Sequence, residues 1–517
     1  MTTHLSPPDD AIVREIPALL PYGEANQQLR AQVHPASWQN PVPRDRYHLV
    51  VIGAGTGGLV TAAAAAGLGA RVALVERHLM GGDCLNVGCV PSKGVIGAAR
   101  SWAAARASAE RFHGPAVSGT GDFAAAMERM RRLRARIAPV DGAPRFRDLG
   151  VDVFIGNGTF VSRNTVQVGD ARLHFRRAVI ATGARASAPA IPGLADSGYL
   201  TNETIFSLTT LPQHLVVVGG GPIGCEMAQA FARFGARVTL VDRTDGVLPR
   251  EDREAAAVIE QALRASGVEV VTNAILTRVE RVGDERRLHI TSGGRESTIA
   301  GDALLIAIGR AANTDGLGLE TAGVAYTKAG VTVDDHLRTT NRSIFAVGDI
   351  CSEWKFTHAA DFQARTVVQN ALFFGRARQS RLVIPWATYT SPELAHVGLC
   401  EADATKAGVA YDTVTVPFHD VDRAILDGQE EGLLKVLLAK GTDRIIGATL
   451  VAEHAGDMIG EITLAMTAGL GLSTIGRTIH PYPTQGEVFR KAADVWRRRK
   501  LTPTVRRLFA AFFRWVT

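Results

Sequence analysis

The chain has 517 residues, 46% hydrophobic and 21% charged, with 57 basic residues against 51 acidic ones and a net charge of +6. That length exceeds what one hydrophobic core organises and points to three or four domains of an ordinary globular protein. The small basic excess is spread along the chain, which argues against a nucleic-acid partner and fits a surface that attracts anionic cofactors.

Residues 1–45 are polar and carry Pro35, Pro41 and Pro43 near their end, so an arm precedes the first domain. The start, Met1 to Asp10, lacks the basic residues and apolar run of a signal peptide. The five cysteines, Cys84, Cys89, Cys225, Cys351 and Cys400, are too few for a secreted disulfide framework. A cytoplasmic protein is expected, with one cysteine pair kept for redox work. Leu49 to Ala70 is uncharged and long enough to imitate a membrane span. Gly53, Gly55, Gly57 and Gly58 interrupt it, so a strand, turn and helix at the centre of an α/β sheet are expected instead.

Two segments share one pattern. Leu49-Val-Val-Ile-Gly53-Ala-Gly55-Thr-Gly-Gly58 runs on to Val72-Ala-Leu-Val-Glu76, and Leu215-Val-Val-Val-Gly219-Gly-Gly221-Pro-Ile-Gly224 runs on to Arg237-Val-Thr-Leu-Val-Asp242. Glu76 follows Gly53, and Asp242 follows Gly219, at the same spacing of 23 residues. Such a Gly-x-Gly-x-x-Gly turn lets a pyrophosphate approach the backbone at a helix N-terminus, while the acid hydrogen-bonds ribose hydroxyls. Between the two lies Gly82-Asp-Cys-Leu-Asn-Val-Gly-Cys-Val-Pro-Ser-Lys93. It places Cys84 and Cys89 close enough for a disulfide across one helical turn, with Lys93 one turn further. Cys225, Cys351 and Cys400 read as small apolar residues.

Thr340 to Asp349 reads as a strand ending in an aspartate. From about residue 381 the pattern changes to alternating strands such as Leu433 to Leu438, then to helical periodicity from about Ala455 to Leu470, which suggests a separate α+β domain. The tail carries Trp496-Arg-Arg-Arg-Lys500 and then basic residues beside Leu508, Phe509, Phe512 and Phe513. Two readings stay open there. The preferred one is a terminal helix packed on the body or on a partner subunit; the other is an amphipathic helix lying on a membrane surface.

Taken together, residues 46–500 resemble the FAD-dependent pyridine nucleotide-disulfide oxidoreductases, a family that includes dihydrolipoyl dehydrogenase, glutathione reductase and mercuric reductase. The resemblance implies an α/β fold: two Rossmann-like dinucleotide-binding domains plus a C-terminal α+β dimerisation domain. The implied boundaries are an arm at 1–45, an FAD-binding domain at 46–190 completed by 315–380, an NAD(P)-binding domain at 191–314, a dimerisation domain at 381–500 and a basic tail at 501–517. It assigns Gly53, Gly55, Gly58 and Glu76 to FAD, and Gly219, Gly221, Gly224 and Asp242 to NADH or NADPH. Ala181-Thr182-Gly183 and Ile308-Gly309-Arg310 match the family's two chain crossings, and Asp349 matches the aspartate that holds the ribityl chain. Cys89 takes the place of the flavin-side thiolate and Cys84 that of the interchange thiol. Lys93 and Glu226 match the lysine–carboxylate pair near the flavin. The implied electron path runs from NAD(P)H to FAD, to the Cys84–Cys89 disulfide, and on to a small-molecule or metal-ion acceptor. No resident metal site is expected.

The branch turns on His480-Pro-Tyr482-Pro-Thr-Gln-Gly-Glu487. Dihydrolipoyl dehydrogenase and glutathione reductase carry a second histidine where Tyr482 stands, as acid/base for the interchange thiol, with a glutamate at the Glu487 position to orient it. A phenol with a pKa of about 10 is a poor proton shuttle near neutral pH. Mercuric reductases resemble the chain in having tyrosine there. They also carry an N-terminal Cys-x-x-Cys module and a C-terminal cysteine pair, and here no cysteine follows Cys400. His480, Tyr482 and Glu487 are expected to act across a homodimer. A mercuric reductase-like enzyme is therefore expected; the alternatives are a dihydrolipoyl dehydrogenase-type thiol reductase and a non-catalytic FAD redox sensor. Asp242 favours NADH by repelling a 2′-phosphate, while Arg243 beside it offers that phosphate a partner.

Overall fold

Three principal sheets organise residues 19–119 and 121–516, the part of the chain that this computed structural model describes. The first is built on the parallel strands Asp152–Ile155, Val72–Glu76, Tyr47–Ile52 and Ala171–Ile180, in that order, with Ile344–Ala346 pairing beyond the last. These strands are mostly buried, as expected for a parallel sheet covered on both faces, except that the first half of Ala171–Ile180 alternates between buried and exposed residues. Leu49 to Ala70 forms the strand Tyr47–Ile52, the glycine turn and the helix Thr56–Gly67. No helix among the described residues is long and apolar enough to cross a membrane.

The second sheet holds the parallel strands Val268–Val271, Arg237–Val241, His214–Val218 and Ala303–Ile306. Beside it lies the antiparallel sheet Ala274–Val282, Glu285–Ser292 and Arg295–Gly301. The chain passes between the two nucleotide-type sheets twice, and the crossings zip together: Ala184–Ala186 pairs antiparallel with Arg310–Ala312. Thr182 Oγ1 donates to the Asn313 carbonyl, and Asn313 Nδ2 returns a bond to the Thr182 carbonyl, each at 2.9 Å. The third sheet is antiparallel, in the order Pro385–Thr388, Glu393–Gly398, Ile445–Ala452, Leu433–Ala439 and Tyr411–Pro417.

Three differences from the sequence reading have physical reasons. Residues 1–18 of the expected arm lie outside the described residues, but residues 19–45 do not form a loose arm. The helix Glu24–Val33 buries Ala25, Leu29 and Val33 in the core of the first domain. Their spacing of four lines one helical face, a signal masked by the polar residues between them. Trp38 Nε1 and Asn40 Nδ2 then donate to the Val153 and Ile155 carbonyls and tie the stretch to the sheet edge. The periodicity at 455–470 is split into Ala455–Met458 and Gly460–Thr467. The tail forms the helix Pro503–Val516 with no buried residue, so its apolar side does not pack on the body.

Candidate active site

The two glycine turns have matching local geometry. Gly53 and Gly219 adopt φ of +100° and +113°, where a side chain is strained. A Cβ on Gly58 would stand 1.8 Å from the Gly53 carbonyl oxygen, and one on Gly224 would stand 1.9 Å from that of Gly219. The following helices, Thr56–Gly67 and Pro222–Phe234, begin without a side-chain cap, which leaves backbone N–H groups and the positive helix end for phosphates.

Each acid is already oriented. Glu76 is buried and accepts from the backbone N–H of Ala54 at 2.7 Å and of His78 at 2.8 Å. Burial pushes its carboxyl above the usual range, against the pull of those two donors. Asp242 accepts from the N–H of Gly220 and Thr244 and from the Thr244 hydroxyl. One continuous cleft of about 2880 Å³ is lined by both turns, both acids, both crossings and the cysteines. A two-site cradle of this kind, with uncapped helix starts and an acid beside each, fits FAD at the first turn and a nicotinamide dinucleotide at the second.

Cys84 lies in the short helix Gly82–Asn86, and Cys89 opens the helix Cys89–Phe112. Both are thiols in this structure. They share a hydrogen bond that sets them apart: the Cys84 thiol is pushed upward, chiefly by its bond to Cys89 and then by burial. Cys89 is pulled down to about 6, chiefly by the same bond, with help from Thr357 and the Lys93 ammonium and against the cost of burial. Thr357 Oγ1 lies 3.3 Å from the Cys89 sulfur. A thiolate at a helix N-terminus gains further from the helix dipole. The shared bond and the Lys93 ammonium thus favour the negative charge on Cys89 over Cys84.

Lys93, one turn after Cys89, donates to both oxygens of Glu226, the closer at 2.9 Å. Glu226 is buried on the helix of the second glycine turn and also accepts from the Tyr389 N–H at 2.9 Å. The Lys93 ammonium lies 4.2 Å from the centre of the Tyr389 ring. Asp349 follows the strand Ile344–Ala346 and meets Arg310 Nε at 3.2 Å. Burial raises the Asp349 carboxyl against the attraction of Arg310. Arg310 also pairs with Asp83, the residue before Cys84. Asp83, Thr357 and Tyr389 were not singled out as site residues in the sequence, and Arg310 entered only as part of a chain crossing. Asp83 and Arg310 adjoin Cys84 and Gly309, but nothing local marks Thr357 or Tyr389.

Matches to two family models decide the family. Residues 47–364 match the pyridine nucleotide-disulphide oxidoreductase model, and residues 384–493 match the dimerisation domain of the same family. The chain belongs to the pyridine nucleotide-disulphide oxidoreductase family. It is 38% identical to a mercuric reductase of Streptomyces lividans over 457 residues, 87% of this chain and 96% of that protein. It is 36% identical to a dihydrolipoyl dehydrogenase of Geobacillus stearothermophilus over 453 residues, 86% of this chain and 95% of that protein. Among solved structures, the HOCl-induced flavoprotein disulfide reductase RclA from Escherichia coli, as its Cu(II) complex, superimposes with a TM-score of 0.77 at 30% identity, covering 87% of this chain and 99% of that one. This family member is a flavoprotein oxidoreductase that uses FAD and NAD(P)H, and its dimerisation domain supports a homodimer.

The C-terminal residues sit apart from the cleft of their own chain. His480, Tyr482 and Glu487 are not among the residues that line it. His480 Nε2 meets Glu461 at 3.0 Å, and its Nδ1 meets the Thr478 carbonyl at 3.1 Å. Tyr482 is exposed and donates its hydroxyl to Asp422 at 2.9 Å, which raises its pKa further. Glu487 is buried and accepts from Arg490, not from either ring.

Proposed function

We propose that this oxidoreductase is mercuric reductase-like: electrons from NAD(P)H reach the Cys84–Cys89 pair and pass to a soft, thiol-seeking metal ion such as Hg(II). FAD, when bound by Gly53, Gly55, Gly58, Glu76 and Asp349, supplies the conversion of a hydride into an electron pair able to open a disulfide. NAD(P)H binds at Gly219, Gly221, Gly224 and Asp242. Lys93, held by Glu226, keeps positive charge beside the Cys89 thiolate. Cys84, neutral and next to it, is the thiol that meets the acceptor. The balance is one NAD(P)H oxidised and one Hg(II) reduced to Hg(0), with one proton released.

Tyr482 carries this reading. Reducing a disulfide acceptor requires protons to be delivered near neutral pH. A phenol whose pKa is raised by Asp422 does not supply them. A soft metal ion needs thiolates and electrons only. The thiol-reductase reading has one observation in its favour, the imidazole–carboxylate pair of His480 and Glu461. Both ring nitrogens of His480 face oxygen acceptors, which leaves neither for an exchanging thiol. The match to the dimerisation domain supports a homodimer, and in this reading His480, Tyr482 and Glu487 face the partner's cleft, with no proton carried by the occupied His480 ring. A cytoplasmic setting suits a thiol pair that must stay reducible.

The test is NAD(P)H oxidation by the purified holoprotein with Hg(II), lipoamide, glutathione disulfide and quinones in turn, with Cys84→Ser alongside. Turnover with Hg(II) that is lost in Cys84→Ser is expected. Faster turnover with lipoamide moves the protein to the thiol reductases. Flavin reduction without multiple turnover on any acceptor marks a redox sensor.

A further inference from the structure

The helix Pro503–Val516 takes no part in the redox site, and none of its residues is buried. Leu508, Phe509, Phe512, Trp515 and Val516 are all exposed, Trp515 at 81%. With 3.6 residues per turn these five fall along one side of the helix, while Arg507 and Arg514 fall on the other. From Trp496 to Val516 the chain carries Arg497, Arg498, Arg499, Lys500, Arg506, Arg507 and Arg514 and no acidic residue. The match to the dimerisation domain ends at residue 493, so this helix lies beyond the segment identified with subunit contact.

We propose that this helix docks the protein on an anionic membrane surface, its apolar side entering the headgroup region and its arginines meeting acidic headgroups. Charge complementarity selects that partner. An apolar side opposite a basic face describes a helix that lies in the interface and does not cross the bilayer. Fourteen residues extend about 21 Å, short of the roughly 30 Å hydrocarbon core. Pairing with the same helix of a second copy would bury the aromatic side but bring two strongly basic segments together with no acid to offset them. The inference is independent of which acceptor the cysteines serve.

Sedimentation of the full-length holoprotein with vesicles tests it, comparing phosphatidylcholine alone with mixed phosphatidylcholine and phosphatidylglycerol. Partitioning is expected to be roughly tenfold or more stronger on the mixed vesicles and to weaken as salt rises. Changing Arg506, Arg507 and Arg514 to Gln in the full chain is expected to weaken it by roughly fivefold per arginine. The double change Phe509→Asp and Phe512→Asp should abolish it. NAD(P)H-dependent flavin reduction should stay unchanged in both variants, which shows that they fold. Equal sedimentation with both vesicle types overturns the proposal. So does a native protein that binds no vesicles and whose dimer dissociates on Phe512→Asp, since the helix would then be a subunit contact.

Discussion

Lys93 and Glu226 form an ion pair at 2.9 Å that joins the helix beginning at Cys89 to the helix of the second glycine turn. Lys93 lies one helical turn from the Cys89 thiol whose charge it supports, while the Glu226 carboxylate opposes that charge. Replacing Lys93 with Met removes one of the attractions that hold Cys89 down at about 6. Alkylation of the reduced protein at pH 6 should slow by roughly threefold or more. An unchanged alkylation profile would detach Lys93 from the thiolate.

The pH dependence follows from the same value. The Cys89 thiolate is present above about 6 and is lost as pH falls through it. Iodoacetamide reactivity of the dithiol form should therefore rise with pH through a midpoint near 6, while Cys84 reacts only at much higher pH. Thr357→Val should move that midpoint upward, because it removes a hydrogen bond that favours the charged sulfur.

Tyr482→His should create the proton carrier that the segment lacks. Turnover with lipoamide is expected to rise at least tenfold, within the range of about 10²- to 10⁴-fold that general acid–base catalysis supplies. Steady-state assays with lipoamide and Hg(II) side by side read it. A variant no better with lipoamide than the native enzyme would remove tyrosine as the cause of acceptor choice.

Asp242→Ala should raise the KM for NADH more than that for NADPH. The carboxylate offers a ribose hydroxyl an acceptor worth about 1.5–3 kcal/mol, roughly tenfold or more in affinity, and it repels a 2′-phosphate. KM values for the two dinucleotides under identical conditions check this; a larger rise for NADPH would reverse the preference.

Leu29→Ala should destabilise the first domain by about 2–4 kcal/mol, because Leu29 is fully buried in its core. Thermal unfolding of the holoprotein reads the change. A loss under about 1 kcal/mol would mean the helix Glu24–Val33 is an ornament on that core.

The sequence by itself determined the two glycine turns, their acids and the cysteine segment. Their chemistry is set within short windows: a φ that only glycine adopts freely at Gly53 and Gly219, and two thiols five positions apart. It also carried the substitution of Tyr482, which a spacing motif exposes directly. The helix Glu24–Val33 was legible in principle from Ala25, Leu29 and Val33, but polar neighbours hid so narrow a stripe. Tertiary structure alone decided what surrounds the sulfur. Thr357 reaches Cys89 from 268 positions away, and Tyr389 covers Lys93 from the third domain. The pairing of His480 with Glu461 and of Tyr482 with Asp422 likewise belongs to the folded chain. Such contacts depend on how separate sheets pack against one another, and no local spacing encodes that.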